Sequence, residues 1–559
     1  MAEHLFFSSY LLLYVTSVFG YGFIFSNVFE KDFLKLNLGY IGIIGIFLST
    51  FVSAVTSYFF PHNYLHNTIF HLIGFISFCF FFNRFVKKEI LLCSGLIIIM
   101  ISGIFVFKNH DDFPYYHLTY ALNLSENSFL IGSGLFGHGF RTPSSIFYYH
   151  SLLYMPGIKY FLFHTGPFFI LYFFNIIILS DISKKIEKKE YNFIYFLSLL
   201  SFIFINIIFY RIAEHGTDRS SQILLIIIFL LFFEILYFKN KKENKYICLF
   251  LLILTYAASI KVLYYIYGIL IIFLFYEKKL NINFFLKKYS FILLLALFST
   301  AFVSKSFFST GCLVYPAEKT CFENFEWSIP KSSVKKMSIH YEWWAKAGGG
   351  PNYKHELSKE EYIKNFNWIQ NWFEKHFVGK ITDTLGAIFL ISIIVLLLFK
   401  GSNTLNINIK RRNFKIYYLI PFIFMVEWFL NHPSMRYGGF VLFALPVFII
   451  LSHYLEKNII KDSKIYIKSM LLILITLIIY NTRNIDRINN EIEKYNYDLL
   501  SSPYFYVPNV KQEVITSSKG LTIFRPINDM CWASKTPCSY NSNIDIKKYY
   551  WMNMIYLND

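Results

Sequence analysis

Mainly apolar runs separated by polar segments recur along the chain, at 6–28, 39–60, 68–84, 90–107, 151–181, 192–210, 221–238, 247–260, 262–276, 289–306, 382–399, 416–431, 438–454 and 467–481. Most approach or exceed the roughly 20 residues that a helix needs to cross a hydrocarbon core. A helix is also the element that satisfies its own backbone in lipid. The pattern predicts an all-α polytopic membrane protein with 13 or 14 transmembrane helices, extracytoplasmic loops and a small C-terminal extension. The two shortest adjoining runs flank Ser259-Ile-Lys261, which reads either as a bend in one helix or as the turn of a hairpin.

Charge decides between those two. Lysines and arginines gather in alternate short loops: Lys184, Lys185, Lys188 and Lys189; Lys239, Lys241, Lys242 and Lys245; Lys278, Lys279, Lys287 and Lys288; Lys410, Arg411, Arg412 and Lys415; Lys457, Lys461, Lys464 and Lys468. Basic loops face the cytoplasm. All five share one side only if the chain crosses twice between Lys245 and Lys278, so the hairpin is expected and Lys261 falls at the outer face. The loop with Arg84, Lys87 and Lys88 then also lies inside. The resulting organisation is N-terminal helices at 1–107, an outer loop at 108–150, central helices at 151–306, an outer loop at 307–380, C-terminal helices at 381–482 and an outer tail at 483–559.

Composition agrees: 559 residues with 55% hydrophobic and 21% aromatic content, and a mean hydropathy of +0.44, exclude a soluble protein. The net charge of +18 is mostly an orientation signal. No basic, aromatic-interleaved segment points to nucleic acid. The start Met1-Ala-Glu-His lacks a basic region, and the first run lacks a small-residue cleavage site, so a retained first span is expected. Cys79, Cys93 and Cys248 lie in apolar runs, whereas Cys312 with Cys321 and Cys531 with Cys538 form close pairs in outer segments. Close even pairs in an oxidising compartment read as two disulfides, free thiols being the alternative.

The polar motifs all fall on the outer side. Asn109-His-Asp-Asp-Phe-Pro-Tyr-Tyr-His117 places Asp111 and Asp112 at the end of an apolar run, with His117 following. A carboxylate pair there suits deprotonation of an acceptor hydroxyl, or a divalent cation held beside a phosphate, with Asp112 as the possible metal ligand. Further along, His138 precedes Arg141, whose planar fork suits phosphate or carboxylate. Thr142-Pro143-Ser144-Ser145 resembles a helix start, and the Tyr-rich stretch 146–155 is expected to lie along the membrane interface. A loop that merely caps the bundle is the plainer reading.

Arg211-Ile-Ala-Glu-His-Gly-Thr-Asp-Arg219 packs five ionisable side chains into one short loop. Glu214 and Asp218 there could hold a sugar or metal, His215 could contact substrate and Arg219 a phosphate, or the group is a self-satisfied turn. Lys261 either snorkels to the interface or faces a polar cavity. Arg436 and Tyr437, in Asn431-His-Pro-Ser-Met-Arg-Tyr437, suit a phosphate or pyrophosphate, or an interface anchor. In the long loop, Trp343 and Trp344 either stack on sugar faces or anchor the loop. Ser358-Lys-Glu-Glu361 is a capping box that should open an amphipathic helix. The tail is expected to be accessory.

An acidic motif in an outer loop, an aromatic helix after it, many spans, and further outer loops carrying Arg and Lys resemble the GT-C class of integral-membrane glycosyltransferases over about residues 90–455. His110-Asp-Asp-Phe113 and His138-Gly-Phe-Arg-Thr-Pro-Ser-Ser-Ile-Phe-Tyr148 are similar to motifs shared by a group of bacterial membrane proteins. The resemblance implies a multi-pass protein of the bacterial inner membrane with its active face extracytoplasmic. It also implies a polyprenyl-phosphate-linked sugar donor and an envelope glycan, lipid or protein acceptor. Asp111 or Asp112 matches the acidic position that serves the class as base or metal ligand. Asp112 is expected in that role, with Asp111 as its partner and His117 as a further catalytic residue, and Lys261, Arg219 and Arg436 as the phosphate contacts. Three spans and part of a fourth precede the acidic loop here, whereas the class usually places that loop after its first span, so either carboxylate remains a candidate. A flippase or a polymerase of lipid-linked saccharides is the alternative function.

Overall fold

The computed structural model describes residues 2–107, 110–237, 244–278, 282–349, 356–400, 418–458, 464–518, 521–527 and 530–558. Asn109, Lys239, Lys241, Lys242, Lys279, Gly350–Tyr353, Lys410, Arg411, Arg412, Lys415 and Lys461 lie outside the described residues.

Among the described residues each of the fourteen apolar runs contains a helix, though not each forms one span. Among the described residues nine helices are long and apolar enough to cross a membrane: Glu3–Phe29, Leu38–Thr56, Tyr64–Arg84, Thr165–Glu187, Thr217–Tyr237, Tyr289–Thr310, Ile369–Phe399, Gly439–Asn458 and Ile465–Tyr495. Phe193–Ile208, Asn244–Ile260 and Ile420–Asn431 are shorter apolar helices, as are Lys87–Met100 and Ile269–Lys278. Asparagine begins three of them: the side chains of Asn37, Asn63 and Asn192 accept from the backbone N–H of Tyr40, His66 and Tyr195. Those bonds satisfy donors that the first helical turn leaves unpaired.

Helices Thr165–Glu187, Phe193–Ile208 and Thr217–Tyr237 form the buried centre. Outer helices turn apolar side chains outward, such as Leu65, Ile69, Ile76 and Phe80, or Leu390, Ile393 and Leu397. A water-soluble protein seldom leaves so much contiguous apolar surface uncovered. These features fit a multi-pass membrane protein.

Contacts between connections define two ends. At one, Lys288 pairs with Glu30 at 2.6 Å, Asn37 reaches Asp181, and Glu456 accepts from Tyr237 and from the Phe193 backbone. The described basic loops belong here. At the other, the Phe129 N–H donates to the Ser57 carbonyl, Ser144 donates to the Ile260 carbonyl, Trp372 to the Pro433 carbonyl, and Ile131 bridges to Met554. The chain therefore turns at Lys261, which is extended between two helical segments, as the charge pattern required.

Several expectations need correction. The run 151–181 does not form one span: a short helix, Ser145–Ser151, is followed by irregular chain, and the long helix starts at Thr165. Ser145–Ser151 does not lie at an interface, because every residue in it is buried within the protein. The capping box of Ser358 and Glu361 forms, but the helix it opens is only Lys359–Ile363. The last helix does not end near 481 but runs on to Tyr495. The tail beyond it is not helical: two antiparallel hairpins, Gln512–Ser518 with Leu521–Pro526 and Ile544–Tyr549 with Met552–Leu557, flank the Cys531–Cys538 disulfide. The second expected disulfide, Cys312–Cys321, is also present.

Candidate functional site

Four segments far apart in sequence meet at the second end. The first is the acidic motif, where Asp112 precedes a single wide helical turn, Phe113–His117, that leads into helix Leu118–Glu126. The second is the short helix Ile212–His215, closed by Gly216. Its φ of +57° and the His117 ring, 2.8 Å from where a Cβ would sit, leave room only for glycine. Asp218 then stands in the first turn of the next helix, where the helix dipole favours a carboxylate. The third is the turn at Lys261. The fourth is the turn Met435–Tyr437, held by Gln222, whose side chain donates to the Met435 and Arg436 carbonyls.

These segments form a closed ionic quartet. Arg436 forks between two carboxylates, its Nη2 donating to Asp112 Oδ2 at 2.9 Å and its Nε to Asp218 Oδ2 at 2.6 Å. Lys261 donates to the other Asp218 oxygen and lies over the Tyr437 ring, 4.3 Å from its centroid. Burial raises the Asp112 carboxyl, but Arg436, helped by His117 and His110, outweighs it and holds the group below the usual carboxylate range. Burial works against the Arg436 charge, but Tyr437 and Asp112 prevail and raise its pKa.

A second network adjoins the first. Glu214 is gripped by Arg211 and lies 3.2 Å from Arg487 Nη1, which also donates to Glu491 at 3.1 Å. Arg487 and Glu491 tie the chain before the acidic motif as well, bonding the Phe105 carbonyl and the Phe107 N–H. The His110 and His215 rings sit 5.5 Å apart beside this network. Burial depresses both, and for His215 nearby Arg219 adds to it. Around them opens a cavity of about 580 Å³. Asp111 lines it, whereas Asp112 belongs to the quartet.

The remaining candidates are placed as follows. His117 is buried beneath the motif, its pKa pushed down to about 3 by burial. His138 bonds the Tyr115 hydroxyl at 2.8 Å, and Arg141 donates to the Gly134 carbonyl and Tyr315 hydroxyl, so both brace the loop. Arg219 lies over Phe209 and reaches the Ile208 carbonyl, with no carboxylate at ion-pair distance among the described residues. Trp343 and Trp344 cluster with His340 on helix Lys331–Lys346. A divalent cation does not fit the residues present. The Asp112 and Asp218 carboxylates are engaged by Arg436 and Lys261, and among the described residues no group of three or more His, Cys, Asp or Glu is arranged to hold one.

The half of the cavity that sequence reasoning missed comes from the polar end of helix Ile465–Tyr495. Arg483, Arg487 and Glu491 recur every four residues, as do Asp486, Asn490 and Lys494. That spacing puts each set on one stripe of a helix, and it was the available signal.

The tail grips the motif. Trp532 N–H donates to the Pro114 carbonyl at 3.0 Å, and the Tyr540 hydroxyl donates to the Tyr115 carbonyl at 2.9 Å. Thr119 donates to the Trp532 carbonyl. The disulfide loop is therefore built into the site end rather than appended to it.

Fold and site together define a multi-helix protein of membrane type whose polar machinery gathers at one end. Residues 4–443 match the family described as Domain of unknown function (DUF8201), and the chain belongs to that family. The match takes in all four segments of the quartet. No curated protein and no solved structure matches the chain.

Proposed function

We propose that the protein is a glycosyltransferase of the bacterial inner membrane. It moves a sugar from a polyprenyl-phosphate donor to a cell-envelope acceptor on the outer face. The observation that carries this reading is the convergence of Asp111, Asp112, Asp218, Lys261 and Arg436 beside a polar cavity at the ends of apolar helices. Such a place meets a lipid-borne phosphate and a water-borne acceptor at once. Asp111, which borders the cavity, takes the proton of the acceptor hydroxyl. Asp112 and Asp218 aim Arg436 and Lys261, and Arg219 offers its guanidinium to the departing phosphate. Positioning and charge neutralisation supply most of the catalysis.

The test is transfer of radiolabelled lipid-linked sugar by purified Asp111→Ala and Asp112→Ala proteins. Losses of a hundredfold or more are expected, and wild-type transfer by both would sink the reading. A polymerase of lipid-linked saccharides shares these parts. A flippase would draw on Lys305, a cation buried inside a long helix, yet Tyr58 and Phe129 seal that ammonium at 3.1 and 3.9 Å from their ring centroids. That enclosure favours the enzyme.

A further inference from the structure

We infer that the cavity beside the quartet is a binding site for the hydroxyl-rich, uncharged rings of a saccharide, separate from the place where phosphate is handled. It deepens the transferase reading and rests on it for taking a glycan as the natural ligand.

The lining carries Arg211, Arg483, Arg487 and Lys494 against Asp111, Glu214, Asp486 and Glu491, four cations and four anions. A phosphate entering would meet four carboxylates, and a metal ion four cations. Balanced fixed charge disfavours either and suits a neutral ligand whose groups both donate and accept. A sugar hydroxyl does both, giving its proton to a carboxylate and receiving one from a guanidinium, and bonds to charged partners are the stronger kind.

Rigidity is the second element. Glu214, with its side chain 2% exposed, and Arg487, at 7%, form the floor. They are locked by Arg211, Glu491 and the Phe105 carbonyl. Arg483 is fixed over the Tyr210 ring, 3.9 Å from its centroid, and bonds the Ile207 carbonyl at 2.5 Å. Such a floor does not collapse when ligand leaves. Asp486, Asn490 and Lys494 stand exposed at the rim. The volume, about 580 Å³, lies within the roughly 300–1,000 Å³ of small-molecule sites and accommodates one or two rings.

The full-length protein in detergent is titrated by calorimetry with glucose, galactose, mannose, N-acetylglucosamine, maltose and lactose, and separately with inorganic phosphate and pyrophosphate. At least one neutral sugar should saturate, with affinity little changed by added salt. The rim variant Asp486→Leu/Asn490→Leu, whose exposed positions leave the core intact, should weaken it at least tenfold. No saturation by any of the six sugars, saturation by phosphate or pyrophosphate instead, or sugar binding indifferent to the rim variant overturns the inference. Asp112→Asn separates the two readings, because it should abolish transfer and leave sugar binding within twofold. Binding without transfer by the wild type sinks the transferase alone, and transfer with rim-independent binding sinks this inference alone.

Discussion

Lys261 and Lys305 are both lysines largely withdrawn from water, and their surroundings are opposite. Lys261, its side chain 21% exposed, meets Asp218 and belongs to a quartet in which every charge has an opposite neighbour. Lys305, 0% exposed, donates to the Ser57 hydroxyl at 2.8 Å and sits among the rings of Tyr58, Phe129 and Tyr148. Among the described residues no carboxylate lies at ion-pair distance from it. A paired ammonium can exchange one anion for another when substrate arrives. A caged one has nowhere to go, and it serves as a brace joining helix Tyr289–Thr310 to the connection after helix Leu38–Thr56 and to the loop before Ile131. On the proposed reading the first arrangement serves the transfer chemistry, and the second holds shape.

The strongest way to break the contrast is to remove the member that the whole quartet shares. Arg436→Ala leaves Asp112 without its guanidinium and Asp218 with Lys261 alone. The expected loss is about 3 kcal/mol, about 1.5 kcal/mol for each of the two charge-assisted hydrogen bonds removed, with transfer abolished. Arg436→Lys should recover stability only in part, because a point charge cannot fork between two carboxylates. Unfolding of the detergent-solubilised variants measures both. If Arg436→Ala unfolds like the wild type, the quartet is no more than surface charge.

Next in size is the clamp over the acidic motif. Cys531→Ser/Cys538→Ser frees the loop that carries Trp532 and Tyr540, and should cost about 2 kcal/mol. Proteolysis within 531–540 should rise while cleavage near Lys305 does not. Equal loosening at both places would mean that the quartet and the brace are one unit.

Acid acts on both neighbourhoods in the same direction, through different neighbours. His117, below the quartet, is held down to about 3 by burial, with Asp112 opposing. Its folded pKa lies under the unfolded value of about 6.5, so its contribution is fully present above about pH 6.5. It is lost as pH falls toward 3, at up to about 1.4 kcal/mol per pH unit. His62, near Lys305, is also depressed, by burial first and then by its cationic neighbours His66 and Lys305. His117→Gln should flatten the acid limb of the stability curve by about one proton. An unchanged limb would show that His117 is already protonated in the fold.

The architecture was far more legible than these neighbourhoods. Apolar runs mark each of the nine long apolar helices, and alternating lysines locate the turn at Lys261. Cysteine spacing paired both disulfides. Asp112, Asp218, Lys261 and Arg436 each stood out as charges beside apolar runs. Nothing local told that Arg436 joins Asp112 across 324 positions, because such a pairing is set by how helices pack. Arg487 and Glu491 were overlooked because the apolar run ends near 481 and the helix does not. Helix Ser145–Ser151 was misplaced for a related reason, since a row of tyrosines suits a headgroup layer and a protein interior equally. Lys305 was invisible as a functional candidate because one cation in an apolar run barely alters its hydropathy.

The smallest expected effect bears most directly on the two lysines. Lys305→Met keeps the length of the side chain and removes the charge. Burying an ammonium without an anion costs several kcal/mol, and the rings return about 2 kcal/mol or more when desolvated. An apolar replacement should therefore be neutral or stabilising, within about 1 kcal/mol, and transfer should persist. Lys261→Met makes the opposite case: Asp218 keeps Arg436, so the fold survives, but transfer falls because a cation available to substrate is gone. Paired unfolding and transfer measurements on these two variants separate shape from chemistry. A loss above about 2 kcal/mol in Lys305→Met would mean that the aromatic cage more than offsets desolvation. Lost transfer in a stably folded Lys305→Met would make the caged lysine part of the chemistry, and the distinction between the two would lie in what each cation awaits.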